Sequence, residues 1–133
     1  MSDLKKLTNE GYEAFSKGDM ETLTRLIADD AVWHVDGEIS ISGDYEGRDA
    51  IFGLFATIGQ HTEGTMDMQI KRVNVLGDEL VQTITSTSAK HGDKSVSGFI
   101  EAHLARWQNG QLVEFWGTMA DQKVALEFWG PKG

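Results

Sequence analysis

At 133 residues, with 12 Lys and Arg against 21 Asp and Glu, the chain has the size of one domain and a formal net charge of −9. That charge repels a phosphate backbone, and with Lys5-Lys6 and Lys71-Arg72 as the only adjacent basic pairs it argues against nucleic-acid binding. Cysteine is absent, which excludes disulfides and thiolate chemistry and suits a cytoplasmic setting; no apolar run approaches the roughly eighteen residues of a membrane span, and Met1-Ser2-Asp3 leads into a charged amphipathic stretch rather than a signal peptide.

Leu4, Leu7, Gly11 and Phe15 recur at helical spacing with Tyr12 beside them, which predicts a helix over residues 3–17 that Gly18 stops. Asp19 is placed to cap a second helix that turns Met20, Leu23, Leu26 and Ile27 inward and ends near Asp29-Asp30. Residues 31–35 read as a strand, and Ile39 and Ile41, alternating with Glu38, Ser40 and Ser42, as another short one. Gly47 opens a third helix in which Ile51, Leu54, Phe55 and Ile58 keep the helical period until Gly59 ends it. Arg48, at its start beside Asp49, reads as a structural ion-pair residue.

From Met66 onward the pattern is antiparallel sheet. Met66, Met68 and Ile70 alternate on even positions and Val73 and Val75 on odd ones, so a β-bulge is expected around Lys71-Arg72. Gly77-Asp78, His91-Gly92-Asp93 and Asn109-Gly110 separate strands over residues 80–90, 95–107 and 111–119, and Asp121 caps a last helix holding Val124, Phe128 and Trp129. There is no repeat or linker, and Pro131 is the only proline. Helices segregated from an antiparallel sheet define the α+β class. Long bent strands should curl around the helices and leave an incompletely filled cone, hence a cavity.

Tyr12-Glu13-Ala14-Phe15, Gly18-Asp19-Met20 and Ala28-Asp29-Asp30-Ala31-Val32-Trp33 come in that order before Tyr45-Glu46-Gly47-Arg48-Asp49-Ala50-Ile51 and Arg106-Trp107-Gln108-Asn109-Gly110. In order and spacing these pieces resemble the SnoaL-like branch of the nuclear transport factor 2 superfamily, relatives of the ketosteroid isomerases, over about residues 4–129. The resemblance implies a single SnoaL-like domain over residues 1–133. Its fold would be a cone-shaped, curved antiparallel sheet wrapped around three helices of the N-terminal half, a cystatin-type roll. The fold hosts isomerases, cyclases, hydrolases, dehydratases and non-catalytic modules, so it does not name a reaction. It does imply a small apolar or polycyclic ligand and a homodimer through the convex sheet face, which the apolar even positions of residues 95–107 also favour.

Within residues 95–107, Glu101 and His103 leave the same face of the strand as Phe99 and Trp107. A carboxylate beside an imidazole among aromatic rings is a plausible acid/base pair. The same two residues could instead meet a dimer partner or ordinary solvent. The resemblance places the isomerases' oxyanion-stabilising acid at His103, which would then serve as acid/base or oxyanion donor with Glu101 orienting it. It places their helix tyrosine at Gly11 and their general base at Val35, each one residue away from a suitable group, Tyr12 and Asp36. Because a single step along a strand reverses a side chain, Asp36 serves as a second base only if the strand ends or bulges there.

Tyr12, Phe15, Trp33, Val35, Phe55, Phe99 and Met119 are expected to line the cavity. His34, Glu114 and Trp116 should point outward, and His61 and His91 read as solvated loop residues. Scattered histidines and the lack of a glycine-rich phosphate loop leave no expected metal or cofactor. Two functions stay open: proton transfer next to a carbonyl (isomerisation, cyclisation or elimination) and non-catalytic binding or dimeric interaction.

Overall fold

The structure, a computed structural model, describes residues 3–133. Met1 and Ser2, read above as leading into a charged helix and not a signal peptide, lie outside them.

The first helix, α1 (Leu4–Lys17), begins where the Asp3 carboxylate accepts a hydrogen bond from the Lys6 N–H at 3.2 Å, and it ends at Gly18 in the left-handed region (φ 67°). Asp19 caps α2 (Met20–Leu26) in the same way. This second helix is shorter than its apolar spacing suggests. Ile27 is already extended and begins β1 (Ile27–Val35), because its backbone is captured by pairing opposite Leu112. Met20, expected inward, is 44% exposed at the helix start.

Residues 39–42 form a turn rather than a strand, and β2 (Gly43–Glu46) follows it, antiparallel to β1 with Tyr45 opposite Trp33. The alternation of Ile39 and Ile41 is real but belongs to a plug: both are buried against Leu54. The Ser42 hydroxyl ties the turn by accepting from the Ile39 N–H and donating to the Asp36 carbonyl. Helix α3 (Arg48–His61) runs through Gly59, which costs about 1 kcal/mol relative to alanine and is overridden by packing. Arg48 pairs with no carboxylate. Its Nη1 donates to the Thr24 and Ile27 carbonyls, both at 3.1 Å, and so pins α3 to the end of α2.

The remaining strands are β3 (Asp67–Leu76), β4 (Leu80–His91), β5 (Lys94–Gln108) and β6 (Gln111–Met119), and α4 (Gln122–Trp129), capped by Asp121, ends the chain. The sheet order is β2-β1-β6-β5-β4-β3. All neighbours are antiparallel except β1 and β6, a parallel pair that the hairpin signals did not foretell. The expected bulge lies between Ile70 and Arg72, and three more register shifts interrupt the ladders, between Ile27 and Val32, between Thr87 and Ala89 and between Arg106 and Trp107. Each adds local twist, so the six strands curve without closing. One core cluster gathers Leu26, Ile51, Trp107 and Phe115 between helices and sheet; a second gathers Ile39, Leu54, Phe99 and Met119 toward α4. Between them the cone is not filled.

Candidate functional site

The inward face of β5 carries Glu101, His103, Ala105 and Trp107 into the cone. His103 stands opposite Thr83 on β4 and Gly117 on β6. Gly117 adjoins the imidazole: a Cβ there would lie in ordinary contact with the Phe115 ring at 3.4 Å and His103 Cδ2 at 3.9 Å. On the other side, α1 presents Tyr12. Its hydroxyl lies 2.5 Å from His103 Nδ1, while His103 Nε2 lies 2.8 Å from Glu101 Oε1. The phenol and imidazole planes are parallel to within 4°. Both ring nitrogens are thus engaged, and the ring itself is 6% exposed.

The proton placement along this chain follows from burial. Desolvation raises the Tyr12 pKa strongly, with the charge of Glu101 adding to it and a Thr83 hydrogen bond opposing it, so the phenol keeps its proton. With a neutral imidazole, the Tyr12 O–H donates to Nδ1 and the Nε2–H donates to the Glu101 carboxylate. Donation then runs one way through all three side chains. In that arrangement the three side chains use their own protons on one another and turn oxygen lone pairs of Tyr12 and Glu101 to the interior, where the donors at hand are the Thr8 and Thr83 hydroxyls and the Trp107 N–H. His103 therefore has no free N–H for an oxyanion, contrary to one of the roles expected of it. The arrangement can instead relay a proton: a proton arriving at the Tyr12 oxygen would let Tyr12 hand its own to Nδ1, with the Glu101 carboxylate 2.8 Å from Nε2. Hydrogen bonds to such charged groups are worth about 1.5–3 kcal/mol.

These groups open onto a cavity of about 140 Å³ whose other walls are mainly apolar, the exceptions being the hydroxyls of Thr8 and Thr83 and the indole of Trp107. Among the described residues the Thr8 hydroxyl and Trp107 Nε1 have no hydrogen-bond partner. Tyr12, Phe15, Trp33, Val35, Phe55 and Met119 line the cavity, as the sequence suggested. Trp33 lies flat on Phe115, with ring centroids 3.6 Å apart, and meets Phe55 edge-on at 5.2 Å, so this wall is rigid. Met66, Met68 and Trp129 also contribute; no motif marked them, because their place depends on how far the sheet curls.

The model of the SnoaL-like domain matches residues 9–125. The chain belongs to this family. Among solved structures, the SnoaL-like chain is similar to Bal32a, from a soil-derived mobile gene cassette, at 33% identity and a TM-score of 0.89, over 94% of this chain and 95% of that one. It also superposes on a cystatin-like-fold protein of unknown function from Xanthomonas campestris, at 22% identity and a TM-score of 0.89, over 97% and 99% of the two chains. IdmH from Streptomyces antibioticus, a candidate polyketide cyclase, is 24% identical with a TM-score of 0.75 over 97% and 99%. An uncharacterised protein of Mycobacterium tuberculosis is 25% identical over 92% of this chain and 93% of its own length.

Not every expected residue reaches the SnoaL-like cavity. Phe99 sits in the second core cluster and faces a void of about 10 Å³ with Thr87 and Ala89. Phe99 shares the face of Glu101, opposite Thr87 as Glu101 is opposite Thr85, but two residues away along the strand that face packs onto Ile39, Leu54 and Ala125 and not onto the main cavity. Asp36 lies just beyond β1; its Oδ2 accepts from Gln122 Nε2 at 3.1 Å and its buried Oδ1 has no partner. It does not line the cavity, whereas Val35 does.

His34 points outward, as expected, with Nδ1 2.7 Å from Asp44 and Nε2 2.7 Å from Glu114, beside Trp116. Desolvation opposes its protonation, but the two carboxylates outweigh this and its pKa is raised. His61 and His91 are not simply solvated. They end α3 and β4 and stack at 3.8 Å, with Trp129 on the other side of His61 at 4.5 Å. Among the described residues no three metal-ligating side chains converge.

Proposed function

We propose that this SnoaL-like protein catalyses cofactor-independent proton transfer next to a carbonyl in a small apolar molecule. The observation that carries this is the buried Tyr12–His103–Glu101 chain, hydrogen-bonded at 2.5 and 2.8 Å at the wall of a mainly apolar cavity. A carbonyl compound bound there places an acidic C–H against the Tyr12 oxygen. His103 takes the proton through Tyr12, Glu101 compensates the imidazolium, and Tyr12 returns the proton at the same or a neighbouring carbon. Isomerisation, cyclisation and elimination all start from the enolate so formed. General acid–base catalysis of this kind contributes typically 10²–10⁴-fold.

The test is hydrogen–deuterium exchange at the α-carbons of ketones of one to four rings in D₂O, followed by proton NMR. The protein should accelerate exchange of at least one member, and His103→Gln should remove the acceleration. Exchange no faster with the wild-type protein than with His103→Gln would leave the second reading, a non-catalytic ligand-binding module, which the same apolar cavity also favours.

A homodimer through the outer sheet face is part of the proposal. Ile100, on that face of β5, is 41% exposed, and Leu104 and Trp116 beside it are only partly covered. Sedimentation equilibrium at micromolar concentration should give twice the chain mass; a 14.7 kDa species would contradict it. A cytoplasmic setting is proposed on the absence of cysteine; among the described residues no helix is long and apolar enough to cross a membrane.

A further inference from the structure

The size and charge of the cavity say more about its ligand than the relay alone. Its volume of about 140 Å³ is close to that of an engineered apolar protein cavity of about 150 Å³ that takes up benzene. Pockets for drug-sized ligands run from about 300 to 1,000 Å³. Widening is resisted on one side by the Trp33–Phe115 stack and by Phe55 against Trp33. One ring fills such a space, and a fused polycycle does not.

Charge narrows the class further. Of the described residues that line the cavity, Glu101 is the only carboxylate, and no Lys or Arg is among them. An anionic ligand would meet the charge of Glu101 with no Lys or Arg in the wall to offset it, which is unfavourable. Because the chain's own protons are spent internally, the group that pairs with it must bring a hydrogen of its own. A neutral O–H, or the acidic C–H of a ketone that becomes one, meets that need.

We propose that the cavity selects neutral single-ring molecules, enolisable cyclic or aryl ketones and their enols, and excludes both carboxylates and fused polycycles. This rests on the proton-transfer reading above and adds a substrate class to it. The enol is represented by a stable O–H analogue, 4-ethylphenol.

Isothermal titration of the wild-type protein with four probes tests the class: 4-ethylphenol, 4-ethylanisole (no O–H), 4-ethylbenzoate (anionic) and 1-hydroxypyrene (four fused rings). The expected result is saturable binding of 4-ethylphenol, at least tenfold weaker binding of the anisole and the benzoate, and no saturation with 1-hydroxypyrene. Binding of 1-hydroxypyrene or 4-ethylbenzoate as tight as that of 4-ethylphenol overturns the proposal, and so does the absence of binding by 4-ethylphenol. Tyr12→Phe separates this from the reading beneath it. The variant should bind ethylbenzene as the parent does, which shows the cavity intact, and lose the preference of phenol over anisole. If the size and charge preferences hold but Tyr12→Phe keeps that O–H preference, the relay is wrong while the single-ring class stands.

Discussion

Two histidines in this protein have both ring nitrogens engaged, and they are engaged to opposite effect. His34, on the outer face, lies between two carboxylates, Asp44 and Glu114. Carboxylates only accept, so both contacts are satisfied only by an imidazolium, and its side chain, 28% exposed, still has water to support the charge. His103, inside the cone, lies between a carboxylate and a phenol. The phenol can donate, so a single ring proton satisfies both contacts. One ring needs two protons to meet its neighbours and the other needs one. The difference lies in the donor capacity of one neighbour, Tyr12.

The largest effect should come from breaking the relay. Tyr12→Phe or His103→Gln should lower ketone exchange by about 10²–10⁴-fold, measured by NMR at saturating ketone. Glu101→Gln keeps an acceptor for the Nε2–H but removes the compensating charge; its loss should be smaller, about 10–100-fold, in kcat with KM little changed.

Next in size are stability effects. Tyr12→Phe strands Nδ1 in a dry site and should cost about 1–3 kcal/mol in urea unfolding. A rise in stability instead would mean that the 2.5 Å contact is not a hydrogen bond in solution. Burial raises the pKa of both tyrosines, Tyr12 far more than Tyr45. Native protein at pH 10.5 should therefore show less phenolate absorbance than unfolded protein at the same pH. Since the unfolded phenols ionise first, stability from this source is full below pH 10 and falls as the pH rises beyond it.

A gain is expected at Gly11, in the interior of α1 and on the cavity wall. An added Cβ would meet only Leu26 Cδ1, at 3.9 Å. Gly11→Ala should therefore stabilise the fold by about 0.5–1 kcal/mol while narrowing the cavity, so that 4-ethylphenol binds less tightly.

The smallest effect belongs to His34. Its raised pKa gives stability that is fully present below the ordinary value of 6.5 and lost as the pH climbs through the folded value. His34→Gln should cost up to about 1 kcal/mol at pH 5.5 and nothing measurable at pH 9. An equal loss at both would mean that packing against Trp116, not charge, is what His34 supplies.

How much of this was legible in the sequence depended on the element each residue sits on. The alternation of β5 put Glu101 and His103 on one face with Trp107. Which face turns inward no period of two can say, and cavity, interface and solvent all stayed open until the curl of the sheet set that face against the cavity. The resemblance put two functional positions one residue from a suitable group, at Gly11 beside Tyr12 and at Val35 beside Asp36. On a helix a one-residue step turns a side chain by only about 100°, so Gly11 and Tyr12 both face the cavity. On a strand the same step reverses it, and Val35 faces in while Asp36 turns to Gln122. That Tyr12 and His103 meet, 91 residues apart, no local pattern could show. The same holds for the parallel pairing of β1 with β6, which also ended α2 early.

The direction of proton donation through His103 is read most directly from the tautomer of its ring. Long-range ¹H–¹⁵N correlation at pH 8, with His103 assigned by comparison with His103→Gln, should show the neutral ring protonated on Nε2 with Nδ1 as the acceptor. Tyr12→Phe should then shift the Nδ1 resonance most. A neutral His103 carrying its proton on Nδ1 would reverse the chain and contradict the account.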